Sequence, residues 1–277
     1  MQSVAPEKVG FSSDRLKRLD DYMQGMVDEG KLAGISTLLA RKGEIFHQEN
    51  FGQLDLESGR AIQTDSIYRI FSMTKPIASV ALMMLHEQAK FRLDDPLSAY
   101  IPEFADLTVA TGMTQTGVRL ESPISAPTVR QLLSHSAGFS YGWFQDTPVD
   151  KMYQDAKILS VGSDLESMVS RLAKIPLAYQ PGTQWRYSVS TDVVGRLVEV
   201  LSGQSFDQYL QERIFEPLGM SDTRFHVPEE DLDRFATVYG PSESGGIEPS
   251  DNNFLRNFGR PPLLFSGGGG LVSTIGD

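Results

Sequence analysis

The chain contains no cysteine, which removes disulfides, thiolate nucleophiles and cysteine-based zinc sites together. Runs of Lys or Arg are also absent, and 25 basic residues against 36 acidic ones leave a formal net charge of −11. That balance argues against a phosphate-binding surface, so nucleic acid is not an expected partner. No window approaches the roughly 18 consecutive apolar residues of a membrane span, and no membrane association is expected. The first ten residues hold Pro6, Glu7 and Lys8 rather than the apolar stretch a secretory signal needs, so a cytoplasmic protein is expected. His47, His86, His135 and His226 show no metal spacing, and neither a metal nor a cofactor is expected. An apolar share of 40% with 22% charged residues is neither disordered nor fibrous, and 277 residues suggest one large domain or two sharing a core.

What is present reads as a mixed architecture. Ser12 and Ser13 offer N-caps for a helix carrying Leu16, Leu19, Tyr22, Met23, Met26 and Val27 at helical spacing, with Gly30 just past its end. Residues 35–40 and 44–51 are β-rich runs on either side of Arg41-Lys42-Gly43 and read as a hairpin. A helix followed by an antiparallel hairpin points to an α+β layer. From Ser72 the chain turns apolar on nearly every side through Leu85, which predicts a helix buried in the protein centre. Residues 92–127, with Pro96, Pro102, Pro123 and Pro127, read mostly as loop. Capping boxes at Thr128/Gln131, Ser163/Glu166 and Ser205/Gln208 announce further helices. A short strand is predicted over 183–187 and a helix over 191–201, stopped by Gly203.

Three places could carry chemistry. Ser72-Met73-Thr74-Lys75 opens the apolar helix, and the spacing of three sets serine and lysine on one face, about 5–6 Å apart at Cβ. A lysine facing a buried site loses hydration and becomes able to accept the serine proton, and free N–H groups at the helix start suit an oxyanion. The plain alternative is an N-cap serine followed by a surface lysine. Tyr187, in Trp185-Arg186-Tyr187-Ser188-Val189, stands at a strand-to-helix junction, where a phenol could shuttle a proton or merely pack its ring. Gly138-Phe139-Ser140-Tyr141-Gly142 matches the G-x-S-x-G nucleophile elbow, but a capped helix precedes it where the elbow needs a strand. A helix end and loop therefore fit Ser140 better. The glycine run 267–270 lacks a following Lys-Ser/Thr, so close backbone packing suits it better than phosphate.

The ordered set F-S-M-T-K-P, L-L-S-H-S-A-G-F, P-G-x-x-W-x-Y-S and I-F-E-P-L-G-M resembles the serine β-lactamase-like superfamily, nearest to the family VIII carboxylesterases. The resemblance implies a β-lactamase/DD-peptidase-like fold, an antiparallel sheet flanked by helices plus an all-helical domain, with the site in the cleft between them. It implies catalytic Ser72, general-base Lys75 and proton-relaying Tyr187. For a serine carboxylesterase acting on short-chain acyl esters, Tyr141 and Trp143 are the candidate pocket walls. Residues 1–90 would form the first part of the α/β domain with the nucleophile helix, 91–240 the helical domain and 241–277 a return segment. Val189 stands where β-lactamases carry Asn, which favours a small-molecule ester as substrate over a lactam. A β-lactamase or D-amino-acid amidase or peptidase is the same-class alternative, and a catalytically silent penicillin-binding-like fragment the other. No oligomeric state is specified. The family's third motif is not found between Ser188 and Asp277, and 271–277 read as a strand tail followed by helix-start residues. The expectation is therefore a C-terminally shortened sequence lacking about a hundred residues, including the remaining core strands, with reduced activity and stability.

Overall fold

The computed structural model describes residues 3–115, 117–160, 162–250 and 258–277. The chain forms two compact units, one of residues 1–69, 227–260 and 272–277, the other of 70–226 and 261–271. The helix that follows Ser72 belongs to the second unit, whereas the sequence reading grouped it with the N-terminal segment. The chain leaves that unit at 226 rather than 240.

In the first unit, α1 (Ser13–Asp28) starts where Ser12 accepts a hydrogen bond from the Arg15 amide, as a capping serine should. The predicted hairpin is β1 (Gly34–Arg41) and β2 (Glu44–Asp55), antiparallel with Ile35 opposite Phe51 and a bulge at Leu39/Ala40. The short β3 (Arg60–Ala61) extends it to three strands. β4 (Tyr68–Arg69) pairs with a segment near residue 272, described below. Buried Ile67, Val227, Phe258 and Val272 form a small core, beside which the Arg69 guanidinium lies 4.0 Å from the Phe235 ring centre.

The second unit holds the larger core. A 3₁₀ turn, Phe71–Met73, leads into α2 (Thr74–Glu87). This helix is not buried all round: Thr74, Ala78, Ala81, Leu82 and Leu85 are inward, while Val80 and Met83 face solvent. Within residues 92–127, which the sequence reads mostly as loop, β5 (Val109–Thr114) and β6 (Gly117–Glu121) make an antiparallel hairpin that this reading does not place. Then come α3 (Val129–Leu133), closed by the Thr128/Gln131 capping box, α4 (Pro148–Asp155) and α5 (Leu165–Leu172). Asp164, not Ser163, caps α5, and Ser205 makes no side-chain cap hydrogen bond. Residues 183–187 form no strand; the Arg186 amide instead donates to the His135 carbonyl.

α6 (Ser190–Ser202) ends at Gly203 in the left-handed region, φ 75°, as the sequence predicts. It packs on α2, and Val193, Val194, Leu197 and Val198 are wholly buried. At about 1.5–3 kcal/mol each, these four side chains outweigh the several kcal/mol of burying a carboxylate in the same helix. α7 (Phe206–Leu210) runs through a π-helical turn, Gln211–Phe215, into α8 (Glu216–Leu218). The first unit then resumes with β7 (Tyr239–Pro241) and β8 (Ile247–Pro249), an antiparallel pair, and β9 (Val272–Ser273), the partner of β4. Among the described residues no helix is long and apolar enough to cross a membrane.

Candidate active site

Ser72, Lys75, Tyr141, Trp143 and Tyr187 all belong to the second unit, and the fold brings Ser72, Lys75 and Tyr187 together. Ser72 lies in the 3₁₀ turn ahead of α2 rather than at its N-cap, and Phe71 before it takes a left-handed φ of 43°. A side chain other than glycine pays steric strain there, and such strain collects at sites whose surroundings over-determine the backbone. The amides of Met73 and Thr74 donate within the turn, so they are not the free helix-start donors expected from the sequence.

The Ser72 hydroxyl is met from two sides. Lys75 Nζ lies 3.2 Å from Oγ, and the Tyr187 hydroxyl donates to the same oxygen at 2.6 Å. Lys75 also donates to the Gly268 carbonyl at 2.7 Å. With one proton removed, a lysine amine keeps two N–H donors and one lone pair. A bond to Gly268 therefore leaves that lone pair free to face Ser72. The ring centres of Tyr187 and Tyr141 lie 4.4 and 5.5 Å from Nζ, and their faces attract the ammonium that Lys75 becomes on taking a proton.

Tyr141 is buried behind this group, its ring 5.2 Å from that of Tyr187 and stacked at 4.1 Å on Trp143. Burial, and after it the charges of Asp192 and Tyr187, push its phenol well above the usual range, so it stays protonated. Trp143 and Trp185 are exposed, the latter stacked alongside Tyr187.

Ser140 lies elsewhere. It is wholly buried, its hydroxyl donates to Asp150 at 2.5 Å, and Arg186 Nε donates to it at 3.1 Å. Arg186 also pairs with Asp146 and Asp150. A buried hydroxyl committed this way anchors the loop beside Tyr187.

Sequence reasoning did not single out three further residues. His135 packs its ring 5.2 Å from that of Tyr187 and has Nδ1 3.2 Å from the Ser188 hydroxyl. Burial, aided by the charge of Lys75, lowers its pKa to about 4, so it is neutral at pH 7. Asp192, in the first turn of α6, is wholly buried and accepts from the Ser266 hydroxyl and the Gly268 amide. Burial pushes its carboxyl above the usual range, against those two bonds and the charge of Lys75. Its one sequence signal was a carboxylate leading the apolar run Val193-Val194; His135 was marked only by its place in L-L-S-H-S-A-G-F, and Ser266 gave none.

Among the described residues no cluster of acidic or histidine side chains could hold a metal ion. Residues 19–277 match the family model described as Beta-lactamase. Esterase EstB of Burkholderia gladioli is 31% identical over 257 residues, covering 91% of this chain and 62% of EstB. Lovastatin esterase of Penicillium rubens is 32% identical over 234 residues, covering 83% of this chain and 58% of that protein. The chain thus spans about three fifths of the length of these two relatives. The solved structure of EstCE1, a hydrolase with promiscuous acyltransferase activity, matches with a TM-score of 0.76 at 29% identity, covering 94% of this chain and 69% of EstCE1.

Proposed function

The chain belongs to the beta-lactamase family, and from that membership and the surroundings of Ser72 we propose a serine carboxylesterase that cleaves short-chain acyl esters through an acyl-serine. The fold is β-lactamase/DD-peptidase-like, with helices and antiparallel sheets mixed. The observation that carries the proposal is the Ser72 hydroxyl held between Lys75 Nζ at 3.2 Å and the Tyr187 hydroxyl at 2.6 Å.

In this reading Lys75 takes the Ser72 proton as Oγ attacks the ester carbonyl. The alcohol departs with a proton delivered through Tyr187, and water then releases the acid from Ser72 by the reverse relay. The Ser72 amide serves as an oxyanion donor, and Trp143 forms a wall of the acyl pocket. Two observations favour esters over lactams. Val189 is wholly buried and presents no amide to a lactam side chain, and two of the relatives are esterases.

Ser72→Ala should abolish hydrolysis of p-nitrophenyl butyrate, and a fluorophosphonate should label the peptide containing Ser72. Ser140→Ala should keep the activity while losing about 1–3 kcal/mol of stability through the buried partners it strands. The opposite pattern would overturn the assignment.

A further inference from the structure

The glycine run 267–270 makes a tight turn, closed by the Gly270 amide on the Ser266 carbonyl at 3.0 Å. None of the four has a left-handed φ, so space and not conformation excludes side chains here. A Cβ on Gly267 would stand 2.3 Å from the Thr191 carbonyl oxygen, and one on Gly268 would stand 2.6 Å from Asp192 Oδ2. The turn is thus pressed onto the first turn of α6. From the other side it meets the nucleophile segment. The Ile70 amide donates to the Leu271 carbonyl, the Leu271 amide to Thr74 Oγ1, and Lys75 to the Gly268 carbonyl.

We propose that Asp192 is the positioning residue of this site, fixing Gly268 through its amide so that the Gly268 carbonyl, in the next peptide unit, holds Lys75 Nζ against Ser72. The clamp uses a single carboxylate oxygen. Oδ1 accepts both the Ser266 hydroxyl and the Gly268 amide, the latter at 3.1 Å, whereas Oδ2 has no hydrogen-bond partner among the described residues. Asp192 has no direct bond to Lys75; residue Gly268 links them, its N–H bonded to the carboxylate and its carbonyl, in the following peptide unit, bonded to the amine. Without the clamp the backbone can turn about Gly268, Lys75 loses its acceptor, and the lone pair is no longer aimed at Ser72. Misplacement of a reacting group by about 1 Å costs on the order of 10²-fold in rate.

Because only Oδ1 is used, an amide should suffice, which separates positioning from a need for charge. The inference rests on Lys75 as the base. Asp192→Ala, Asp192→Asn and Lys75→Ala are compared by circular dichroism, by kcat and KM on p-nitrophenyl butyrate, and by the rate of Ser72 labelling with a fluorophosphonate. Asp192→Ala should lose about 10²-fold in kcat and in labelling rate with KM little changed. Asp192→Asn should stay close to the parent, since Asn Oδ1 accepts the same two bonds. A folded Asp192→Ala with parental kcat overturns the proposal, and so does an Asp192→Asn as impaired as Asp192→Ala. Should Asp192→Ala not fold, Ser266→Ala replaces it: a fall in kcat at constant KM supports the clamp, and an unchanged kcat overturns it. Lys75→Ala that still labels at the parental rate defeats the base assignment; an inactive Lys75→Ala beside a fully active Asp192→Ala defeats only the clamp.

Discussion

At Ser72 one hydroxyl is approached by an amine and a phenol, and the shorter of the two contacts belongs to Tyr187. Under the proposed relay, Tyr187→Phe should lower kcat by about 10²–10⁴-fold with a small change in KM, because the proton matters in the transition state. Steady-state kinetics on a short ester checks this, and a fall in kcat/KM carried by KM alone would contradict it. His135 gives a second expectation. Its pKa of about 4 lies below the 6.5 of a free histidine, so between those values the unfolded chain binds the extra proton. Its contribution to stability is therefore complete above pH 6.5 and is lost as the pH falls toward 4. Melting temperatures of the parent and His135→Gln should converge as the pH drops through that window. Parallel curves would contradict it. Ser72 and Lys75 were legible because a spacing of three on a helix is a local fact. Asp192 was not, because an acid in a helix's first turn looks like a surface residue favoured by the dipole. Only the arrival of Ser266 and Gly268 shows that it is buried.

Elements whose partners lie close in sequence were read well, as α1 and the β1–β2 hairpin illustrate. The β5–β6 hairpin was missed because a bulge between Ala110 and Gly112 breaks the alternation that marks a strand. The opposite error arose at 183–187, whose β-prone side chains suggested a strand. The bond of Arg186 goes to a loop carbonyl, so no ladder forms. Close packing of the glycine turn on α6 yields an expectation at this scale. Gly267→Ala places a methyl 2.3 Å from a backbone oxygen that belongs to a helix and cannot easily yield. It should cost about 1–3 kcal/mol in urea unfolding. Gly276→Ala, whose Cβ would meet only the Thr274 hydroxyl at 3.8 Å, should change stability far less. Equal losses would show that the turn is not tightly packed.

Each unit is assembled from separated stretches of chain, and this has a consequence in time. Lys75 and the carbonyl that holds it are 193 residues apart. At about 5–20 residues per second, a ribosome needs roughly 10–40 s to add them. Throughout that interval the serine, the lysine and, later, the tyrosine exist on the nascent chain without the turn that, on the proposed reading, aims the amine. On the proposed reading the nucleophile is therefore idle at first, and becomes competent only when the glycine turn emerges and docks. Ribosome-bound chains arrested before residue 266 should react with a fluorophosphonate far more slowly at Ser72 than the released 277-residue chain. Equal labelling of the two would mean that the distant turn is not what completes the site.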